Sequence, residues 1–324
     1  MEIETTDYHT AGEPFRIVTG GGPALAGTSI LARRRDAREN HDRIRRLLVN
    51  EPRGHADMYG CFVTEPDDGG ADIGVVFFHN DGYSTACGHG TIALVTWALE
   101  SGRLPITGPR TRVVVDVPSG RLETVARVEG GQATGVKVRS VLFRNVPSFV
   151  LEREVVVGRF TVAIAFGGAF YAIVPADQAG LKVEPRHLPQ LIDLGRGVKQ
   201  HLEAQMTVVH PLEPELRDIY GVIFTDGERN VTIFANGEVD RSPCGSGTSA
   251  RLALLDATGE LKRGDELRHV SIIDTEFRGR VVAGTEVAGR PAVMTEVEGS
   301  AHLTGHHRFI LDAGDPLGTG FLLR

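Results

Sequence analysis

Cys87 and Cys244 each begin a Cys-Gly-x-Gly-Thr segment, and each segment runs on into a stretch that reads as a helix. Aligned without a gap, residues 87–104 and 244–261 agree at seven of 18 positions: the cysteine, three glycines, a threonine, an alanine and the final leucine. Each helix is expected to last about three turns and to stop at Gly102 or Gly259, where glycine supplies the left-handed residue that ends a helix. The first N–H groups of a helix lack intrahelical partners and carry the positive end of its dipole. A thiol placed there has its pKa lowered from about 8.5 toward roughly 3.5–7.5, so thiolate is available near neutrality. The flanking glycines let a carboxylate approach the same N–H groups. Two such sites related by pseudo-twofold symmetry can place a sulfur on each face of one α-carbon. One cysteine then removes the proton as thiolate, and the other returns a proton to the opposite face. Negative charge building on the carboxylate is held by N–H groups fixed beforehand. This chemistry requires no metal and no pyridoxal cofactor, and the sequence carries no motif for either.

Other reactive side chains are weighed against plainer roles. Cys61, between Gly60 and Phe62 in an apolar, strand-like run, reads as core. His89 stands two residues after Cys87, where the second segment has Ser246; it is expected to orient a thiol or the substrate, a local hydrogen bond being the alternative. Asp240, just ahead of Arg-Ser-Pro-Cys244, could pair with a substrate ammonium or could cap a turn. His302 and His306 have the i, i+4 spacing of a helical metal pair, but Thr304-Gly305 and the strand-like run after Arg308 argue against a helix.

The elements that must position these residues also repeat. The cysteine segments lie 157 positions apart, the strand-like runs 73–77 and 230–234 share that offset, and 12–18 matches 168–174 at an offset of 156. Three matches in register imply a duplicated domain, with lobes of 1–142 and 143–309 and a turn-rich tail, 310–324, open to folding back on either lobe. Short β-branched runs at 112–117, 121–128, 136–142, 154–157 and 269–274 read as strands. The apolar stretch 155–174 is broken by Gly158-Arg159 and Gly167-Gly168 and reads as two strands joined at the glycine pair, not a membrane span. A further helix is expected over 36–49; its arginines 38, 43, 45 and 46 read as a solvated outer face. Each lobe is then a curved sheet or barrel wrapped on one main helix, an α+β arrangement.

Composition sets bounds on partners. A length of 324 residues suits two lobes, and 41% hydrophobic with 24% charged residues is ordinary for a globular protein. The net charge of −7 gives nucleic acid or an anionic membrane no electrostatic support. Forty glycines favour many turns, and three cysteines without a C-x-x-C pair point to a reducing, cytoplasmic setting. The N-terminus lacks the basic start and apolar run of a signal peptide.

Six motifs carry a family resemblance: His9-Thr-Ala-Gly-Glu-Pro14, Arg53-Gly-His-Ala-Asp-Met-Tyr-Gly60, Ala71-Asp-Ile-Gly74, Tyr83-Ser-Thr-Ala-Cys-Gly-His-Gly90, Phe166-Gly-Gly-Ala-Phe-Tyr-Ala172 and Asp240-Arg-Ser-Pro-Cys-Gly-Ser-Gly-Thr248. With these the chain resembles the proline racemase family of proline racemases, 4-hydroxyproline 2-epimerases and trans-3-hydroxy-L-proline dehydratases. The resemblance implies two pseudo-symmetric lobes of the diaminopimelate-epimerase type with the site in the cleft. It implies acid and base roles for Cys87 and Cys244, and a substrate-carboxylate region at Gly88, His89, Gly245 and Ser246. It further implies Asp240 at the ring nitrogen, and Tyr59 and Phe234 as aromatic walls. The expected activity is cofactor-independent inversion of the α-carbon of proline or a hydroxyproline, an isomerase reaction, by a monomer or homodimer. The alternative is dehydration of trans-3-hydroxy-L-proline, a lyase reaction. Met58-Tyr-Gly and Tyr83-Ser-Thr resemble the dehydratase branch, yet that branch usually has Thr where this chain has Cys244.

Overall fold

The computed structural model describes residues 1–131 and 135–323. Two compact units emerge, one of residues 1–141 with 300–324 and one of residues 142–299.

In the first unit, strand Glu2–Thr10 lies antiparallel between Ala301–Ile310 and Glu13–Gly20. Glu13–Gly20 runs parallel to Tyr59–Thr64, which is antiparallel to Ile73–His79; that strand runs parallel to Arg110–Val117, itself antiparallel to Gly120–Gly131. A parallel step needs a long crossover. Here helices α1 (Ile30–Asn40) and α2 (Asp42–Val49) make the first one. A single helix over 36–49 was the expectation. His41 breaks the run at φ −128°, ψ 10°, and α1 starts earlier because the Ser29 hydroxyl accepts the Ala32 N–H at 3.2 Å. Nor is the basic face wholly outward. Arg45 is buried and donates to Asp42 and to the carbonyls of His79 and Asn80.

The central helix of this unit is α3 (Gly88–Glu100). Its sequence has no polar stripe, and residues 88–99 are all buried, as a helix apolar on every side must be. Each fully buried Ile or Leu there is worth about 1.5–3 kcal/mol relative to exposure. The helix start, and Cys87 with it, is thereby fixed against the strands around it.

The second unit repeats the pattern. Phe149–Val157, Phe160–Phe166 and Phe170–Pro175 form antiparallel neighbours, the last two joined at Gly167-Gly168. Phe170–Pro175 then runs parallel to Ile219–Asp226 after a crossover through α4 (Leu188–Gln205). Ile219–Asp226 is antiparallel to Arg229–Phe234, which meets Glu266–Val270 in parallel; Glu276–Val287 and Arg290–Gly299 follow antiparallel. Reciprocal bonds of 2.9 and 2.8 Å between Ser148 and Val293 bring the ladder back to its beginning. Helix α5 (Gly245–Thr258) packs against five of these strands with residues 245–253 buried, and Gly259 ends it at φ 75°. The order of parallel and antiparallel steps matches that of the first unit, so the duplication read from the cysteine segments is a duplication of topology. The fold is α+β, of the diaminopimelate-epimerase type.

Two sequence boundaries fall elsewhere. The chain re-enters the first unit at Ser300, not after 309, because Ala301–Ile310 pairs along its length with Glu2–Thr10. The tail stays with that unit, with Phe321 and Glu51 exchanging bonds of 2.9 and 3.1 Å. The strand expected at 269–274 is instead Glu266–Val270, because Ser271 closes a turn with the Thr275 N–H bonded to its hydroxyl at 3.3 Å. No helix among the described residues is long and apolar enough to cross a membrane.

Candidate active site

In the first unit, Cys87 is the residue that caps α3. Its sulfur accepts the Gly90 N–H at 3.2 Å, and its carbonyl accepts both the N–H and the hydroxyl of Thr91 at 2.9 and 2.8 Å. The two ring nitrogens of His89 lie 3.6 and 3.5 Å from the sulfur. That ring meets Tyr59 and Phe15 edge-on, at centroid distances of 4.9 and 5.7 Å. Burial lowers the His89 pKa to about 3, so the imidazole is neutral across the physiological range and acts as a dipole rather than a cation. Gly90 is obligatory on space alone: a Cβ there would stand 2.6 Å from the Cys87 sulfur and 2.4 Å from Phe15.

In the second unit, Cys244 begins α5 with a different backbone. Its φ of 63° lies in the left-handed region, which costs a residue with a side chain of order 1–3 kcal/mol; Cys87 has φ −154°. The strained turn is held by a short relay. Asp240 accepts the N–H and the hydroxyl of Ser242 at 2.8 and 2.7 Å, and the Ser242 oxygen accepts the Cys244 N–H at 3.0 Å. The Cys244 carbonyl accepts Thr248 N–H and Oγ1 at 2.7 and 2.8 Å, as Thr91 serves Cys87. Beside the sulfur stand Tyr171 Oη at 3.6 Å and Ser246 Oγ at 4.0 Å, themselves 2.7 Å apart.

A depressed thiol pKa is the sequence expectation at both helix starts. At Cys244 the outcome is the reverse. Burial and the negative charge of Asp240 raise it to about 12, outweighing Tyr171, the Gly247 N–H and Thr232, which favour the thiolate. The helix-end field is real but is smaller than the cost of desolvating a thiolate beside a carboxylate. Asp240 is itself pushed up to about 6 by burial, against the bonds from Ser242 and Cys244 and the charge of Arg241. Cys61 is fully buried, and burial alone raises its pKa well above the ordinary thiol value.

The structure therefore gathers Cys87, Gly88, His89 and Tyr59 at one helix start, and Cys244, Gly245, Ser246 and Asp240 at the other. Phe234 reaches the second group through aromatic contacts: it stacks on Tyr220 at 5.5 Å, whose ring meets Tyr171 edge-on at 5.7 Å. Tyr171, Ser242, Thr232 and Phe15 were not singled out from the sequence. Tyr171 and Phe15 could have been, since both fall in the segments that match at an offset of 156. His302 and His306 lie on a strand, and the His302 ring stands 5.2 Å from His9. Among the described residues no three or more His, Cys, Asp or Glu side chains converge as a metal site would require.

The α+β fold is shared with a hydroxyproline epimerase of Agrobacterium vitis, known from its crystal structure. That crystal structure, with bound trans-4-hydroxy-L-proline, superposes with a TM-score of 0.92 at 32% identity over 99% of this chain and 96% of that one. Residues 5–322 match the proline racemase family, and the chain belongs to it. A trans-3-hydroxy-L-proline dehydratase of Bacillus cereus is 46% identical across 98% of this chain and 97% of its own. A 3-hydroxyproline 2-epimerase of Burkholderia multivorans is 47% identical across 99% and 98%.

Proposed function

We propose that this chain inverts the α-carbon of a hydroxyproline without a cofactor, with a 3-hydroxyproline the foremost substrate. The observation that carries the reading is a thiol at the start of each central helix, a proton-exchanging group twice over. The substrate carboxylate would lie on the N–H groups opening the two helices, at Gly88, His89, Gly245 and Ser246. The ring nitrogen would pair with Asp240, and Tyr59 and Phe234 would flank the ring.

In the direction that starts from an L-amino acid, Cys87 takes the α-proton and Cys244, held as a thiol, gives one to the opposite face. The carboxylate carries the developing charge, stabilised by donors that need no reorganisation. The neutral His89 ring lends its dipole to the Cys87 sulfur without adding a second acid. Once that proton has gone to carbon, the Cys244 thiolate is retained by Tyr171 and the Gly247 N–H. The reverse reaction starts from that state.

Dehydration of trans-3-hydroxy-L-proline is the second reading, favoured by the name of the Bacillus cereus relative. It begins with the same deprotonation by Cys87. The Cα–H electrons then form a Cα–Cβ double bond, the Cβ–O bond breaks, and the hydroxyl, which lies on the same face as the α-hydrogen, leaves as water with the proton that Cys87 has taken. The enamine left behind tautomerises to a cyclic imine. Inversion and elimination thus part after a shared first step, and the proton donor on the far face decides between them.

The test uses the planar anion pyrrole-2-carboxylate, which resembles the deprotonated substrate and should bind more tightly than an amino acid. Iodoacetamide should inactivate the enzyme by labelling Cys87 or Cys244, and pyrrole-2-carboxylate should protect whichever is labelled, as read by peptide mass spectrometry. Labelling confined to Cys61, with no protection by the anion, would remove the basis of the reading.

A further inference from the structure

We infer that Tyr171 is a positioning residue whose hydroxyl, backed by Ser246, holds the Cys244 sulfur through both of its protonation states. This rests on the proposed role of Cys244 as a proton-exchanging group. The geometry is a closed triangle with sides of 3.6 Å from Sγ to Tyr171 Oη, 2.7 Å from Oη to Ser246 Oγ and 4.0 Å from Oγ back to Sγ. All three side chains are buried.

A thiol is a donor and a thiolate is only an acceptor, so a neighbour that serves both must be able to turn. With Cys244 protonated, S–H points to Tyr171 Oη and the tyrosine O–H points to Ser246. When the proton leaves for carbon, the hydroxyls rotate: Ser246 donates to Tyr171 and Tyr171 donates to the thiolate. Tyrosine and serine each keep their own proton throughout, and only the direction of the bonds changes. A hydrogen bond to an ionised acceptor is about twice as strong as a neutral one, so the triangle favours the thiolate state.

The matching positions of the first unit carry different side chains. Phe15 stands at the position matching Tyr171, with no hydroxyl, and His89 stands where Ser246 is. In the second unit the hydroxyls meet a specific electrostatic demand. Cys244 faces a carboxylate within its own unit, Asp240 on the strand Glu238–Asp240, which opposes its ionisation. The other groups facing the sulfur are Tyr171 on Phe170–Pro175, Thr232 on Arg229–Phe234, and Ser246 with the Gly247 N–H on α5. Arg241 and Ser242 in turn face Asp240 and temper its charge. Tyr171 thus offsets part of what Asp240 imposes on Cys244.

The experiment is the pH dependence of iodoacetamide labelling, read peptide by peptide in the substrate-free enzyme, for wild type, Tyr171→Phe and Ser246→Ala. Phe15 shows that a phenylalanine ring suits the matching position, and Cys87 labelling in the same sample reports an intact fold. In Tyr171→Phe the Cys244 profile should move to higher pH, with labelling between pH 8 and 10 at least about fivefold slower after allowing for the greater nucleophilicity of a more basic thiolate. Ser246→Ala should shift it the same way by less, and Cys87 should be unmoved in both. An unchanged or faster Cys244 profile in Tyr171→Phe, with Cys87 as in wild type, overturns the inference. Should Tyr171→Phe not fold, an unchanged profile in Ser246→Ala overturns it. No substrate enters the measurement, so its outcome stands apart from whether a hydroxyproline is turned over.

Discussion

Cys244→Ser is expected to remove α-carbon inversion while leaving hydroxyproline able to bind. General acid–base groups of this kind contribute about 10²–10⁴ in rate, and the loss here should lie at the upper end or beyond it. A serine hydroxyl is far less acidic than a thiol, so it gives a proton to carbon only slowly. Serine also keeps the size of cysteine and adds no β-branch at a position with φ 63°, so the backbone of the α5 start is retained. The check is the rate of formation of the D-epimer by chiral chromatography, beside binding of pyrrole-2-carboxylate by calorimetry. Cys87, the proposed base, is untouched in this variant, so any dehydration of trans-3-hydroxy-L-proline should persist; Cys87→Ala should lose both reactions. Wild-type inversion in Cys244→Ser would show that the second proton comes from elsewhere.

Asp240→Asn should have two effects of opposite sign. Turnover should fall by about 10²–10³, because removing one partner of a buried charge pair costs roughly 2–5 kcal/mol. Labelling of Cys244 in the free enzyme should nevertheless become faster. Asparagine can still accept from the Ser242 N–H and hydroxyl through Oδ1, so the relay to Cys244 N–H survives, while the negative charge that holds the thiol up is gone. The same reasoning gives a pH dependence. Asp240 titrates near 6, raised by burial, so it is charged above that value and neutral below it. The kcat/KM of wild type should therefore fall as pH drops through about 6, and the limb should vanish in Asp240→Asn. His89, lowered to about 3, should contribute no inflection near 6.5. Slower Cys244 labelling in Asp240→Asn would contradict the electrostatic account of this cysteine.

Much of this was legible in the chain because duplication writes the same structural solution twice. The Cys-Gly-x-Gly-Thr segments mark helix starts, with Gly90 and Gly247 leaving little room for a Cβ beside each sulfur, and the closing Gly259 specifies a left-handed end. The strands on either side of Gly167-Gly168 followed from β-branched runs and punctuation. What escaped was of two kinds. Helix α4 carries Gly195 and Gly197, which weaken a local helix signal; Gly195 is needed because a Cβ there would stand 2.8 Å from Ile233. The destination of residues 301–310 was set by pairing with the first strand of the chain, a contact nearly three hundred residues distant that no local pattern records. At the candidate site, the cysteines and Asp240 can be nominated from the sequence by type and position. The ionisation of Cys244 was not, since it depends on burial and on a carboxylate brought beside it by a three-residue strand. The repeat marks the position of Tyr171 but not its partner: an aromatic in a β-rich run reads as core, and only the fold turns its hydroxyl toward the Cys244 sulfur.

The central claim is that two thiols exchange protons with one α-carbon, and one measurement addresses it directly. Wild-type enzyme is incubated with trans-3-hydroxy-L-proline in D₂O, and the recovered amino acid is resolved by chiral chromatography with mass detection. The account predicts cis-3-hydroxy-D-proline carrying one deuterium at the α-carbon, formed at a rate that Cys244→Ser does not approach. Imine product alone, with every recovered molecule still in the L-configuration, would contradict it and assign the chain to dehydration.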